Sequence, residues 1–162
     1  MSLKIMEKHL NMSKTIKTAL LLIGAGIVFA LLIQLVPINH TNPPVVTAVK
    51  WDSPQTQALF RRACADCHSN ETVWPWYSYV APVSWLVAHD VEEGRGRLNV
   101  SDLSALDANR LSHTVEEVAK VIQRGEMPKS IYLPTHPEAR LSAEETAALA
   151  SGLQKTLASS IK

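Results

Sequence analysis

Cys64-Ala65-Asp66-Cys67-His68 is the stretch on which the reading of this 162-residue chain turns. Its form, C-x-x-C-H, is the attachment pattern of c-type haem. Two thiols three residues apart at a helix end can add to the two vinyl groups of one haem. The adjacent His68 then stands over the iron as proximal ligand. These are also the only cysteines in the chain, so neither is diverted to a structural disulfide. A redox C-x-x-C would follow a strand in a βαβ pattern, and none is visible. A zinc site would want a second ligand pair at compatible spacing, and no second cysteine pair exists.

Covalent haem requires an exported domain, and the N-terminus supplies the route. Thr18 to Pro37 carry no charge, and the next charged residue after Lys17 is Lys50. About 20 apolar residues in a helix cross the roughly 30 Å hydrocarbon core of a bilayer. Lys4, Lys8, Lys14 and Lys17 against Glu7 give the leading tail a charge of +3. The positive-inside rule keeps such a tail in the cytoplasm. A cleaved signal peptide is the rival, but its apolar core is shorter and ends in an A-x-A-like site, which Gln34 to Ile38 do not provide. The expected organisation is a cytoplasmic tail over 1–17 and a transmembrane signal-anchor over 18–37. A Pro-containing linker over 38–52 and a haem-binding domain over 53–162 follow, on the periplasmic side of the inner membrane.

Four of the 16 basic and one of the 15 acidic residues lie in the tail, so the exported part has a net charge of −2. Its basic residues do not cluster, which argues against a nucleic-acid partner. About 125 residues suffice for one domain with one core.

No period-2 run of strand length appears, so the expected fold class is mostly α, a small helical haem domain behind one membrane helix. Ser53-Pro54 reads as an N-cap with proline at the first helical position. The helix would carry Phe60, four residues before Cys64 and on the same face, beside the porphyrin or in the ordinary core. Trp74-Pro75-Trp76-Tyr77-Ser78-Tyr79 and Trp85 concentrate aromatic surface after His68. Trp74, Trp76, Tyr77 and Trp85 are candidates for the wall of a flat cofactor, with a compact core as the bland reading. Pro82 to Glu93 predicts a helix stopped by Gly94, and Gly94-Arg95-Gly96-Arg97 a flexible basic loop whose arginines either pair with propionates or stay solvated. Thr114 with Glu117 predicts a capped helix ending at Gly125, and Ser142 with Glu145 another, carrying Leu149, Leu153 and Leu157.

A six-coordinate haem needs a second axial donor, Met or His. Met127 is the only methionine of the exported part, on a proline-rich loop and followed by Pro128. It is the candidate sixth ligand, with His68 as the other metal ligand. His89, His113 and His136 compete with it, and an open five-coordinate iron is the remaining option.

Cys64-x-x-Cys67-His68-Ser69-Asn70, Thr72-x-Trp74-Pro75-Trp76-Tyr77-Ser78, Ala81-Pro82-Val83-Ser84-Trp85 and Gly94-Arg95 resemble the bacterial haem-binding domain family of small, membrane-anchored c-type haem proteins. The match covers roughly residues 50–158. Members tend to continue with Asn-Phe-Ser-x-Trp, where this chain has Asn99-Val100-Ser101-Asp102-Leu103. More distantly, Phe60, Cys64 to His68, Met127-Pro128 and the final helix are similar in layout to class I cytochromes c. The resemblance implies one covalent haem c per chain far more than it implies a physiological role.

The expectation is a membrane-anchored mono-haem c-type cytochrome that passes one electron to an unknown redox partner protein. The alternative is a haem-based sensor or gas- or peroxide-binding module with an open distal site. No acid/base or nucleophile constellation is apparent among the side chains, so a carrier is expected rather than an enzyme.

Overall fold

The structure is a computed structural model that describes residues 3–47 and 49–160. The side chains of residues 1–13, with most of the expected cytoplasmic tail, lie outside the described residues, as do Ala48, the side chain of Ala105 and residues 161–162. Helix α1 runs Leu3–Ile33. Its stretch Lys14–Ile33 has a mean hydropathy of 2.4 and buries nothing against the rest of the chain. It is therefore long and apolar enough to cross a membrane. The helix stops four residues before Pro37, because a proline disfavours helical backbone at the residue preceding it and cannot itself continue the ladder.

Residues 38–47 have no regular structure but are held along the domain. Val46 and Thr47 both donate their backbone N–H to the Ser101 carbonyl, at 2.8 and 2.9 Å. Asn42 donates to the Thr72 carbonyl at 2.9 Å, and Trp51 packs on Phe60 with ring centroids 5.1 Å apart. The segment expected as a linker is thus a strap.

Helix α2, Pro54–Ala63, begins as the sequence predicts: the Ser53 hydroxyl accepts from the Thr56 N–H at 3.1 Å, and Pro54 fills the first turn. A four-residue helix α3, Ala65–His68, carries the cysteine motif. A 3-10 turn at Trp76–Tyr79 leads into α4, Val83–Arg97. Helices α5, Ala108–Gln123, and α6, Ala143–Ala158, close the domain. Among the described residues there is no strand, and the fold is helical as expected.

Two expected boundaries move. Gly94 does not stop α4, which continues through Arg97, so the flexible basic loop does not exist. Gly94 is there for close approach: a Cβ on it would run into the Cys67 carbonyl and lie 2.9 Å from the Cys67 Cβ. The second is the start of α5. Its N-cap is Asp107, whose carboxylate accepts from the Arg110 N–H at 2.8 Å. Thr114 is inside the helix and donates to the Arg110 carbonyl one turn back, while Glu117 pairs with Lys120. A T-x-x-E pair also faces one way in mid-helix, so it marks a start only where no earlier cap competes.

Helix α5 packs on α6, α6 on α2, and α3 on α4. Leu149, Leu153 and Leu157 of α6 are fully buried with Leu59, Phe60 and Ile122. Each such side chain contributes about 1.5–3 kcal/mol through removal from water. Gly125 ends α5 at φ 70°, a backbone angle that favours glycine. Ser142 and Glu145 form the predicted capping box on α6.

Candidate haem site

The motif is built on the end of α2. The Cys64 N–H donates to the Phe60 carbonyl at 2.8 Å, closing that helix. The Cys64 carbonyl in turn accepts from Cys67 and His68, at 3.2 and 2.9 Å, opening α3. One residue thus ends one helix and starts the next, which turns both thiols and the imidazole toward a common side. Asp66, between the cysteines, braces this turn. Its carboxylate accepts from the Val73 N–H at 2.9 Å and from the Tyr132 hydroxyl at 2.8 Å, and its carbonyl from the Thr72 hydroxyl at 2.6 Å.

His68 is fixed from behind. Its Nδ1–H donates to the Leu98 carbonyl at 2.9 Å. That bond sets the tautomer and leaves the lone pair on Nε2, the nitrogen an iron would take. Burial holds the imidazole pKa below its ordinary 6.5, so the ring is neutral near pH 7. The carbonyl that orients it is itself fixed. Leu98 follows α4, donates to the Gly94 carbonyl at 2.9 Å, and is followed by Val100, which donates to the His68 carbonyl at 3.0 Å. A buried net locks the two segments: Asn99 donates to Asn70 Oδ1 at 2.8 Å, Asn70 N–H to the Ser101 hydroxyl at 3.0 Å, and Asn70 Nδ2 to the Pro44 carbonyl at 2.8 Å.

Phe60, Cys64, His68 and Met127 line one cavity of about 580 Å³. A smaller adjoining cavity adds Cys67 to Cys64, His68 and Met127. Pockets that bury a cofactor run to roughly 300–1,000 Å³. The wall is aliphatic, from Leu98, Leu106, Val118, Val121, Ile122 and Leu153. Charge is confined to a few side chains of α4, α5 and the loop after α5, with Arg97, Arg110 and Lys129 as the cations. Arg97 pairs with Glu93 at 2.8 Å and Lys129 with Asp90 at 2.8 Å. Arg110 has no ion pair among the described residues, and its Nη2 donates to the Gly96 carbonyl at 3.3 Å.

Both cysteines are free thiols of intermediate exposure. Burial, then the neighbouring Cys67, pushes Cys64 up to about 12. Burial, then Asp90 and Asp66, pushes Cys67 up to about 11. A C-x-x-C that works by thiol–disulfide exchange needs the opposite, a thiolate stabilised near neutral pH. Among the described residues no cluster of three or more His, Cys, Asp or Glu is arranged to hold a metal ion. An oriented imidazole and a thioether, the two side-chain types that ligate a low-spin haem iron, thus line the apolar cavity together with Cys64.

The aromatics expected as a cofactor wall stand apart from these two cavities. Trp74, Trp76, Tyr77 and Trp85 line neither of these cavities. Trp74 packs edge-on against His40 at 4.8 Å, with its indole nitrogen buried and unpartnered among the described residues. Trp76 is 78% exposed, Trp85 is partly exposed, and Tyr77 lies against Thr135 and His136. The chain leaves His68 through the Asn70 net and Thr72, which carries the aromatic block to the side where α1 ends. Of the competing histidines, His113 lines the cavity, whereas His89 does not and His136 stacks on Tyr132 at 3.8 Å. Arg95 neither faces the cavity nor stays solvated. Its guanidinium donates to Ser69 O, Thr41 O, Asn42 Oδ1 and Thr72 Oγ1, at 2.9 to 3.2 Å, and so ties the strap to the motif. Val100 and Leu103 stand where the family tends to have aromatics, and both are buried in the core.

Fold and site together define a small helical cofactor-binding domain behind an apolar helix. A family model described as Haem-binding domain matches residues 28–155, and the chain belongs to that family. Haem is therefore the cofactor of this domain. No curated protein and no solved structure matches the chain.

Proposed function

We propose that the protein is a membrane-anchored, mono-haem c-type cytochrome that carries one electron on the periplasmic side. Cys64 and Cys67 hold the haem through two thioethers, His68 is the proximal ligand and Met127 the distal one. The bound haem supplies the one-electron couple. The chain's own contributions are orientation, exclusion of water and charge. Leu98 fixes the ring of His68, the aliphatic wall would exclude water from the haem, and Arg110, which has no ion pair among the described residues, would be available to a propionate. The raised thiol pKa values disfavour thiol–disulfide chemistry, which needs a stabilised thiolate. The alternative of an open-site sensor is disfavoured by Met127 lining the cavity together with His68.

The observation that carries this reading is the Nδ1–Leu98 bond of His68, because it prepares an imidazole as an iron ligand beside two cysteines on one cavity. The full chain, purified in detergent, tests it. Acid–acetone extraction is expected to leave haem on the polypeptide, and haem in the organic phase would refute covalent attachment. The oxidised wild type should show the weak charge-transfer band of a Met–Fe bond, and Met127→Ala should lose it and open the ferrous form to CO. Rapid CO binding by the wild type would refute Met127 as ligand and favour the sensor.

A further inference from the structure

The aromatic block and the residues after it leave several apolar side chains exposed, Tyr79 among them although one side of its ring stacks on His40. Trp76 is 78% exposed, Tyr79 60%, Val80 46% and Val83 44%. Residues 72–89 contain no Asp, Glu, Lys or Arg. A solvated surface segment of that length ordinarily carries charge. This face is also tied to the end of α1. Gln34 donates through Nε2 to the Ala81 carbonyl at 3.2 Å and accepts from the Ala81 N–H at 2.9 Å.

That double bond gives the face a depth. The apolar stretch Lys14–Ile33 has 20 residues. At 1.5 Å per residue they rise about 30 Å, the thickness of the hydrocarbon core. Gln34 then stands at the boundary between acyl chains and headgroups, and Ala81 with it. Tyr79, Val80 and Val83 are at most two residues from Ala81, so their Cα atoms lie within about 8 Å of it. Trp76 is one 3-10 turn further, about 6 Å more. The headgroup layer on each side is about 5–8 Å deep. Tryptophan and tyrosine are the residues that favour this layer, because one end of each ring is apolar and the other polar.

We propose that Trp76, Tyr79, Val80 and Val83 insert into the headgroup–acyl boundary of the same bilayer that α1 enters, so that the domain lies docked on the membrane rather than hanging from a tether. The occupant of the face is lipid. The proposal rests on the reading of Lys14–Ile33 as a membrane span, and it is independent of the haem reading. Gln34 joins the span to the face through its two bonds to Ala81.

Photolabelling tests it. The full holoprotein is placed in nanodiscs of phosphatidylcholine carrying a diazirine in the upper acyl chain, and carbene adducts are mapped by mass spectrometry. Adducts are expected on 14–33 and on 72–89, the latter several-fold above those on Ala143–Ala158, which packs on α2 and α5. The triple variant W76S/Y79S/V83S should bring 72–89 down to the Ala143–Ala158 level while 14–33 stays labelled. Label on 14–33 with 72–89 at the Ala143–Ala158 level overturns the docking and leaves the face to a protein partner. Absence of label from 14–33 refutes the span itself, and the docking with it.

Discussion

Gly94→Ala and Gly96→Ala make the sharpest comparison this fold allows, because the two glycines share a helix and differ in what a Cβ on each would meet. A Cβ on Gly96 meets nothing within 4 Å. A Cβ on Gly94 would overlap the carbonyl of Cys67 and sit 3.0 Å from its carbonyl carbon. Replacing glycine by alanine in a helix is worth up to about 1 kcal/mol of stability from propensity. Overpacking costs about 1–3 kcal/mol, and the upper end applies here because the obstructing atoms are backbone. Gly96→Ala is therefore expected to stabilise by somewhat under about 1 kcal/mol, and Gly94→Ala to destabilise by about 2 kcal/mol after its own propensity gain. The gap of about 3 kcal/mol is on the order of a hundredfold in the folded-to-unfolded ratio. Denaturant titration of the two variants in detergent, at unchanged slope, measures it. The cost is also local to the site. Pushing α4 off α3 pulls Leu98 from His68, so Gly94→Ala should perturb the haem spectrum and Gly96→Ala should not. Equal stabilities for the two variants would refute the close-approach argument.

Two further expectations follow from single contacts. Hydrogen bonds from the Ser142 backbone, then from Arg62, hold the Glu145 carboxyl below the ordinary glutamate value of 4.5. Its stabilising contribution is therefore complete above about pH 4.5 and lost as pH falls through the lower folded value, so Glu145→Gln should flatten the acid limb of wild-type stability; identical acid limbs would sink this account. Arg95→Lys keeps the charge but loses the planar fork that serves four acceptors. The strap should loosen by about 1.5–3 kcal/mol, the range for hydrogen bonds of a charged group, seen as faster amide exchange at Val46 and Thr47; unchanged exchange would show that the strap holds without Arg95.

What was legible in the chain was short in range. The Ser53 and Ser142 caps, the stop at Gly125 and the leucine spacing of α6 are decided within one or two helical turns, and the structure follows them. The motif from Cys64 to His68 is legible for the same reason. Its supports are not. The Leu98 carbonyl is 30 residues from His68, and a backbone acceptor leaves no signature in a side-chain pattern. Gly94 looked like a stop because a glycine required for close packing reads the same as a glycine required for a turn. Arg95 and Asn70 are polar residues near a loop until the strap that they hold is folded against them.

The aromatic block is a different kind of ambiguity. A cofactor wall and a membrane interface ask for the same side chains, so composition alone does not choose between them. Charge does. A haem carries two propionates, and a site for it wants cations; the cavity lining holds Arg97, Arg110 and Lys129 beside Glu93, Glu117 and Glu126, with Arg110 the cation that has no ion pair among the described residues, and no charged side chain lies within 72–89. A headgroup layer entered beside an apolar span wants aromatic rings with no buried charge to desolvate, which is what 72–89 offers. The uncharged run 72–89 is visible in the sequence, whereas Arg97, Arg110 and Lys129 are scattered along the chain and meet only in the fold. On the proposed docking, the absence of charge from 72–89 assigns that segment to the membrane, and the charged side chains of the cavity lining assign the cavity to the cofactor.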